Sequence, residues 1–144
     1  MPLYQVENFS FTYPGARQAA LRQISFSLEP GQFVTLIGAS GSGKTTLLRQ
    51  LKSAVAPHGA AAGRILFQGQ PLSQVTARCQ AAQIGLVQQS PDNQLVTDKV
   101  WHELAFGLEN LGLDNQTIRL RVAEIAAFFG IEAWFHKDVA SLSG

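Results

Sequence analysis

The sequence predicts an α/β fold organised around a glycine-rich loop, and three observations predict it. Two stretches near the N-terminus alternate apolar and polar residues, as paired strands do. A β-rich apolar run, Phe33-Val34-Thr35-Leu36-Ile37, enters Gly38-Ala39-Ser40-Gly41-Ser42-Gly43-Lys44-Thr45-Thr46 and leaves through the helix formers Leu47 to Lys52. Farther along, short apolar runs are followed by stripes at helical spacing, so strands and helices share one chain.

Phe9, Phe11 and Tyr13 fall on one face of the first strand, which ends at the turn Pro14-Gly15. Ile24, Phe26 and Leu28 repeat the two-residue period before Pro30-Gly31, giving an antiparallel pair that leads into the loop strand. Tyr13 closes its strand beside a turn. There its ring can be a core or edge aromatic, or can stack on a planar ligand such as adenine.

The spacing of Gly38, four residues, then Gly43-Lys44-Thr45 is that of a phosphate-binding loop. In such a loop the backbone N–H groups surround the phosphates, the lysine reaches the β and γ oxygens, and the hydroxyl of the next residue ligates Mg²⁺. The free N–H groups and positive dipole end of the following helix favour the same anion. A glycine turn with a surface lysine is the alternative; a strand before and a helix after argue against it.

After this helix, Ala54 to Gly63 is rich in small residues and reads as a flexible connection, followed by a short strand, Arg64 to Phe67, closed by Gln68-Gly69-Gln70-Pro71. Gln74 to Gln83 predicts a short helix with Ser73 as its N-cap. Ile84-Gly85-Leu86-Val87 predicts a buried strand delivering Gln88 and Gln89 to the loop Ser90-Pro91-Asp92-Asn93-Gln94. The two glutamines are placed to meet a ligand at the carboxyl end of a core strand, or are simply surface polar residues. Val96 to Leu113 carries an apolar stripe that serves core packing or docking of another protein. Asp114 caps the next helix, Ile118, Val122, Ile125, Ala126 and Phe129 share its apolar face, and Gly130 stops it.

Composition bounds the rest. With 144 residues, 46% of them apolar and 15% charged, the chain fits one globular domain with a core. A net charge of +1 and no Lys/Arg cluster give no footprint for nucleic acid. No secretory leader pattern and no membrane-length apolar run is present, which predicts a cytoplasmic chain without a span of its own. Cys79 is alone and reads as a partly buried, inert thiol, and His58, His102 and His136 lack metal-ligand spacing.

From Phe9 to Gly144 the chain resembles the N-terminal part of the ATP-binding cassette (ABC) ATPase domain, a P-loop NTPase fold with an antiparallel β subdomain and a helical subdomain. The resemblance assigns adenine stacking to Tyr13, the Walker A loop to Gly38 through Thr46, and the Q-loop glutamine, a Mg²⁺ and water contact, to Gln89. It assigns the start of the signature motif to Leu142-Ser143-Gly144. The segments Val87 to Val96 and Glu103 to Asn110 are most similar to energy-coupling-factor importers of vitamins, cobalt or nickel, although Gln88 stands where an aromatic residue is common. The implied division is a β subdomain and P-loop core over 1–83, a Q-loop region over 84–98 and a helical subdomain over 99–144.

The resemblance further implies ATP and Mg²⁺ held by Tyr13, Lys44, Thr45 and Gln89 between two ATPase subunits, identical or paralogous. Ser143 and Gly144 would contact the γ-phosphate on the opposite subunit, and the region from Gln89 to about Glu109 would press on integral membrane subunits. The protein would then lie peripherally on the inner face of the cell membrane. No apolar run here ends in the Asp-Glu pair of a Walker B strand, and no switch histidine follows the signature. The expectation is therefore a fragment truncated before the Walker B strand, with exposed apolar surface, weak nucleotide binding and no ATP turnover. A non-enzymatic nucleotide-binding or interaction module and a soluble, non-transport ABC protein remain as alternatives.

Overall fold

A computed structural model describes residues 1–142. The chain divides into two compact units, Met1–Gly85 and Leu86–Gly144.

The first unit is built on a four-stranded antiparallel sheet ordered β2-β1-β3-β4, with β1 spanning Tyr4–Thr12, β2 Leu21–Leu28, β3 Ala60–Phe67 and β4 Gln70–Pro71. The predicted N-terminal pair is present, with Val6 opposite Phe26 and Phe9 opposite Ile24. Its alternation is broken once. β1 buries Tyr4 and Val6, then Phe9 and Phe11, so the parity changes at Asn8, where the pairing register shifts. Asn8 (φ 46°) and Gln23 (φ 48°) take left-handed backbone there. Their N–H groups donate to the hydroxyls of Ser25 (2.9 Å) and Ser10 (2.8 Å), which satisfies donors displaced from the ladder. Across from them Gly63 (φ 89°) is required, because a Cβ at that position would lie 2.4 Å from the Asn8 carbonyl oxygen.

Helix α1, Lys44–Gln50, packs on the sheet through Leu47, and the Tyr4 hydroxyl donates to the carbonyl of Leu51 at 2.8 Å. Val6, Phe11, Phe67 and Leu72 belong to the same core. Helix α2, Ala77–Gln83, is tied in by buried Gln80, which accepts from the Ser53 N–H (2.9 Å) and donates to the Val75 carbonyl (2.9 Å).

Several expectations are corrected. Ala54 to Gly63 is not a free connection: a 3₁₀ turn covers Ser53–Val55, and β3 starts at Ala60, with Ala60 to Ala62 opposite Thr12 to Ser10. Ladder pairing to β1 overrides the weak strand propensity of these small residues. Helix α2 begins later than predicted, capped by Thr76, whose hydroxyl accepts from the Cys79 N–H (3.2 Å), while Ser73 sits in a 3₁₀ turn, Leu72–Gln74. Neither Phe33 to Ile37 nor Ile84 to Val87 is a strand among the described residues, and Phe33 and Ile37 are 93% and 85% exposed. Apolar β-formers supply the face of a strand; the ladder requires a neighbour to accept their backbone groups.

The second unit packs α3, Val100–Asn110, against α4, Asn115–Phe129. Ala105, Ile118 and Val122 form its core, with Leu104, Leu108 and Phe135 around them, so part of the stripe after Val96 is used in core packing. Asp114 caps α4 as predicted, accepting from the Thr117 N–H (2.9 Å) and hydroxyl (2.6 Å), and the helix ends at left-handed Gly130. Its buried face is narrower than predicted. Ile118, Val122 and Ala126 are buried, whereas Ile125 and Phe129 are exposed. Lys99 and Asp138 pair by backbone bridge and by an ion pair of 2.6 Å. No helix among the described residues is long and apolar enough to cross a membrane.

Candidate functional site

The glycine-rich loop connects the exposed segment ending at Ile37 to α1. Gly43 is the hinge of the connection: it takes φ 91° at the helix N-cap, and a Cβ there would lie 2.7 Å from the Ala20 carbonyl oxygen. The loop closes on itself through the Ser42 N–H, which donates to the Ala39 carbonyl at 3.2 Å. The Lys44 ammonium turns back into this arc, donating to the carbonyls of Gly38 (2.8 Å) and Ala39 (2.7 Å) and to the Ser42 hydroxyl (3.4 Å). A cation is thus centred among loop residues 38–44, and exposed Thr45 follows it on the first turn of the helix.

Thr46 is buried and faces the sheet side. Its hydroxyl lies 3.0 Å from the phenolic oxygen of Tyr13, just past the end of β1. The Tyr13 ring stands edge-on to the buried ring of Phe11, with centroids 4.9 Å apart and planes at 85°, and is 38% exposed. The aromatic residue and the loop singled out from the sequence therefore meet in one place, and the ring keeps an open surface beside the loop.

The donor set fits a magnesium-bound polyphosphate. Backbone N–H groups of a helix start, one ammonium and one exposed hydroxyl suit phosphate oxygens and a hard cation that takes few protein ligands. Among the described residues no group of three His, Cys, Asp or Glu side chains could hold a metal by itself.

Gln89 belongs to the second unit, where it is exposed just before a 3₁₀ turn, Pro91–Gln94. Two neighbours that sequence reading assigned no role hold this segment. The Gln94 amide accepts from the Gln88 N–H (2.8 Å) and donates to the Leu86 carbonyl (3.0 Å). The Glu103 carboxylate accepts from the N–H groups of Val96 (3.1 Å) and Thr97 (2.8 Å) and from the Thr97 hydroxyl (2.9 Å). Desolvation raises the Glu103 pKa, but the bonds from Thr97 and Val96 outweigh it and hold the carboxyl below its ordinary value. Neither contact has a sequence signal, because both side chains bond to backbone several residues away, which no spacing rule records. Ser143 and Gly144, expected at the signature motif, lie outside the described residues.

The family model described as ABC transporter matches residues 21–144. An ABC transporter ATP-binding protein of Bacillus cereus is 44% identical over 140 residues, covering 97% of this chain and 25% of that protein. The energy-coupling factor transporter ATP-binding protein EcfA1 of Lacticaseibacillus paracasei is 38% identical over 140 residues, covering 97% of this chain and 49% of that protein. The solved structure of cbiO1 from Clostridium perfringens, part of the ABC transporter complex cbiONQ, superposes with a TM-score of 0.81 at 31% identity, covering 99% of this chain and 56% of that one. The chain thus spans between a quarter and about half of the lengths of these relatives.

Proposed function

The chain belongs to the ABC transporter family, and from this premise we propose that it is the nucleotide-binding part of an ATPase subunit that powers an importer of the energy-coupling-factor type. The observation that carries the reading is the placement of Lys44 within the arc of loop carbonyls, with Tyr13 bonded to Thr46 beside it. The loop N–H groups from Gly38 to Thr46 hold the phosphates, Lys44 meets the β and γ oxygens, and the open face of Tyr13 stacks on adenine. Thr45 and Gln89 would hold Mg²⁺, which supplies charge neutralisation of the phosphoryl oxygens. Ser143 and Gly144 would face the nucleotide of a second ATPase subunit.

In this reading the segment from Gln89 to about Glu109 transmits the nucleotide state to integral membrane subunits, and the protein sits on the inner face of the membrane. The proposed division is a β subdomain and P-loop core over 1–83, a Q-loop region over 84–98 and a helical subdomain over 99–144. No apolar run in the sequence ends in Asp-Glu, so we further propose that a polypeptide of these 144 residues binds ATP without hydrolysing it. The complete protein, purified with its membrane subunits, is expected to hydrolyse Mg-ATP and to lose about 100-fold or more in rate on Lys44→Ala. Full turnover by the Lys44→Ala protein contradicts the assignment.

A further inference from the structure

Gln89 is followed by a loop with both feet tied down by side chains. At the leading foot, the carboxamide of Gln94 returns to the chain and bonds residues 86 and 88 through one acceptor and one donor. At the trailing foot, Glu103 takes the N–H groups of Val96 and Thr97. The backbone at residues 86 and 88 thus has one acceptor and one donor engaged by a single side chain. The clamp ends one residue before Gln89 and fixes the direction in which the chain enters it.

We propose that Gln94 is the positioning residue for Gln89: its two bonds hold the backbone from which the Q-loop glutamine projects, while Gln94 itself takes no part in holding the nucleotide or its metal. This rests on the proposed role of Gln89 as a Mg²⁺ contact. A side chain held at a ligand by a pre-set backbone need not be ordered when the ligand arrives, so loss of the clamp acts on the metal-dependent part of binding. Glutamine suits the task because one planar amide presents an acceptor and a donor together.

Two measurements on the complete protein test this. In the first, amide hydrogen exchange at Gln88 is slow in the wild type and faster by about tenfold or more in Gln94→Ala, because a bonded N–H must open before it exchanges; equal exchange in the two proteins overturns the clamp. In the second, calorimetry gives the ratio of ATP affinity with Mg²⁺ to affinity in chelator. Gln94→Ala is expected to cut this ratio about fivefold with the chelator affinity unchanged, and Gln89→Ala/Gln94→Ala to match Gln89→Ala alone. Gln94→Glu, which keeps the acceptor but not the donor, should fall between. A Gln94→Ala loss that adds to that of Gln89→Ala, or that appears equally in chelator, overturns the positioning role. If Gln89→Ala leaves the ratio at its wild-type value, the role of Gln89 fails and the proposal with it, even where the exchange result stands. If Lys44→Ala binds ATP normally, the nucleotide reading itself fails.

Discussion

The hydroxyl of Tyr13 lies 3.0 Å from the hydroxyl of Thr46, joining the end of the first strand to the first turn of the loop helix. One bond thus connects the residue proposed to carry the base with the element proposed to carry the phosphates. A neutral hydrogen bond of this kind contributes about 1 kcal/mol, or roughly fivefold in affinity. Tyr13→Phe keeps the ring and should weaken ATP about fivefold while leaving tripolyphosphate, which has no base, unaffected. Tyr13→Ala should weaken ATP further by removing the stacking surface. Calorimetric titration of both ligands measures the difference, and equal losses for ATP and tripolyphosphate contradict base stacking at Tyr13.

Gly63 holds left-handed backbone against the Asn8 carbonyl, where a Cβ would lie 2.4 Å from the oxygen. Gly63→Ala must move β1 or β3, or give up the bulge. The expected cost is about 2–4 kcal/mol, read as a lower denaturation midpoint with the same denaturant slope. Unchanged stability would show that the bulge is not held as described.

Acid should loosen the helical unit through two carboxyls. Hydrogen bonds from the Thr117 hydroxyl and N–H hold the Asp114 pKa below its ordinary value of 3.8, and Glu103 lies below its ordinary 4.5 for the reason already given. Both folded-state values are depressed, so the stabilisation is fully present above the unfolded values and disappears as pH falls through the folded ones. Helical ellipticity followed by thermal melts should therefore hold steady from neutral pH to about 5 and fall below about 4.5, with a smaller acid loss in Asp114→Asn. A melting curve whose acid loss is unaltered by Asp114→Asn contradicts the capping contribution.

The features most legible in the sequence are those set by local chemistry. Gly43-Lys44-Thr45, the alternation of Phe9 and Phe11, and the pair Asp114 and Gly130 each specify a conformation within a few residues of themselves. The misses share a cause. Phe33 to Ile37 and Ile84 to Val87 have strand composition, but a strand exists only where a second backbone completes the ladder. Ala60 to Ala62 shows the converse: alanines with little strand preference join the sheet because β1 offers them open hydrogen-bonding groups. The parity change at Asn8 was hidden because Val6 and Phe9 are both apolar, and apolarity does not record which of two faces a residue takes. Gln94 leaves no sequence signal for a related reason: a side chain bonding to backbone several residues away has no periodicity.

We propose that the loop from Gly38 to Thr46 binds the phosphates of Mg-ATP through Lys44. It is tested most directly by the thermal midpoint of residues 1–144 with and without Mg-ATP, in wild type and Lys44→Ala. Ligand linkage predicts a rise in the wild type that grows with ATP concentration, and little or no rise in Lys44→Ala. An equal rise in both proteins, or none in either at millimolar Mg-ATP, would contradict it.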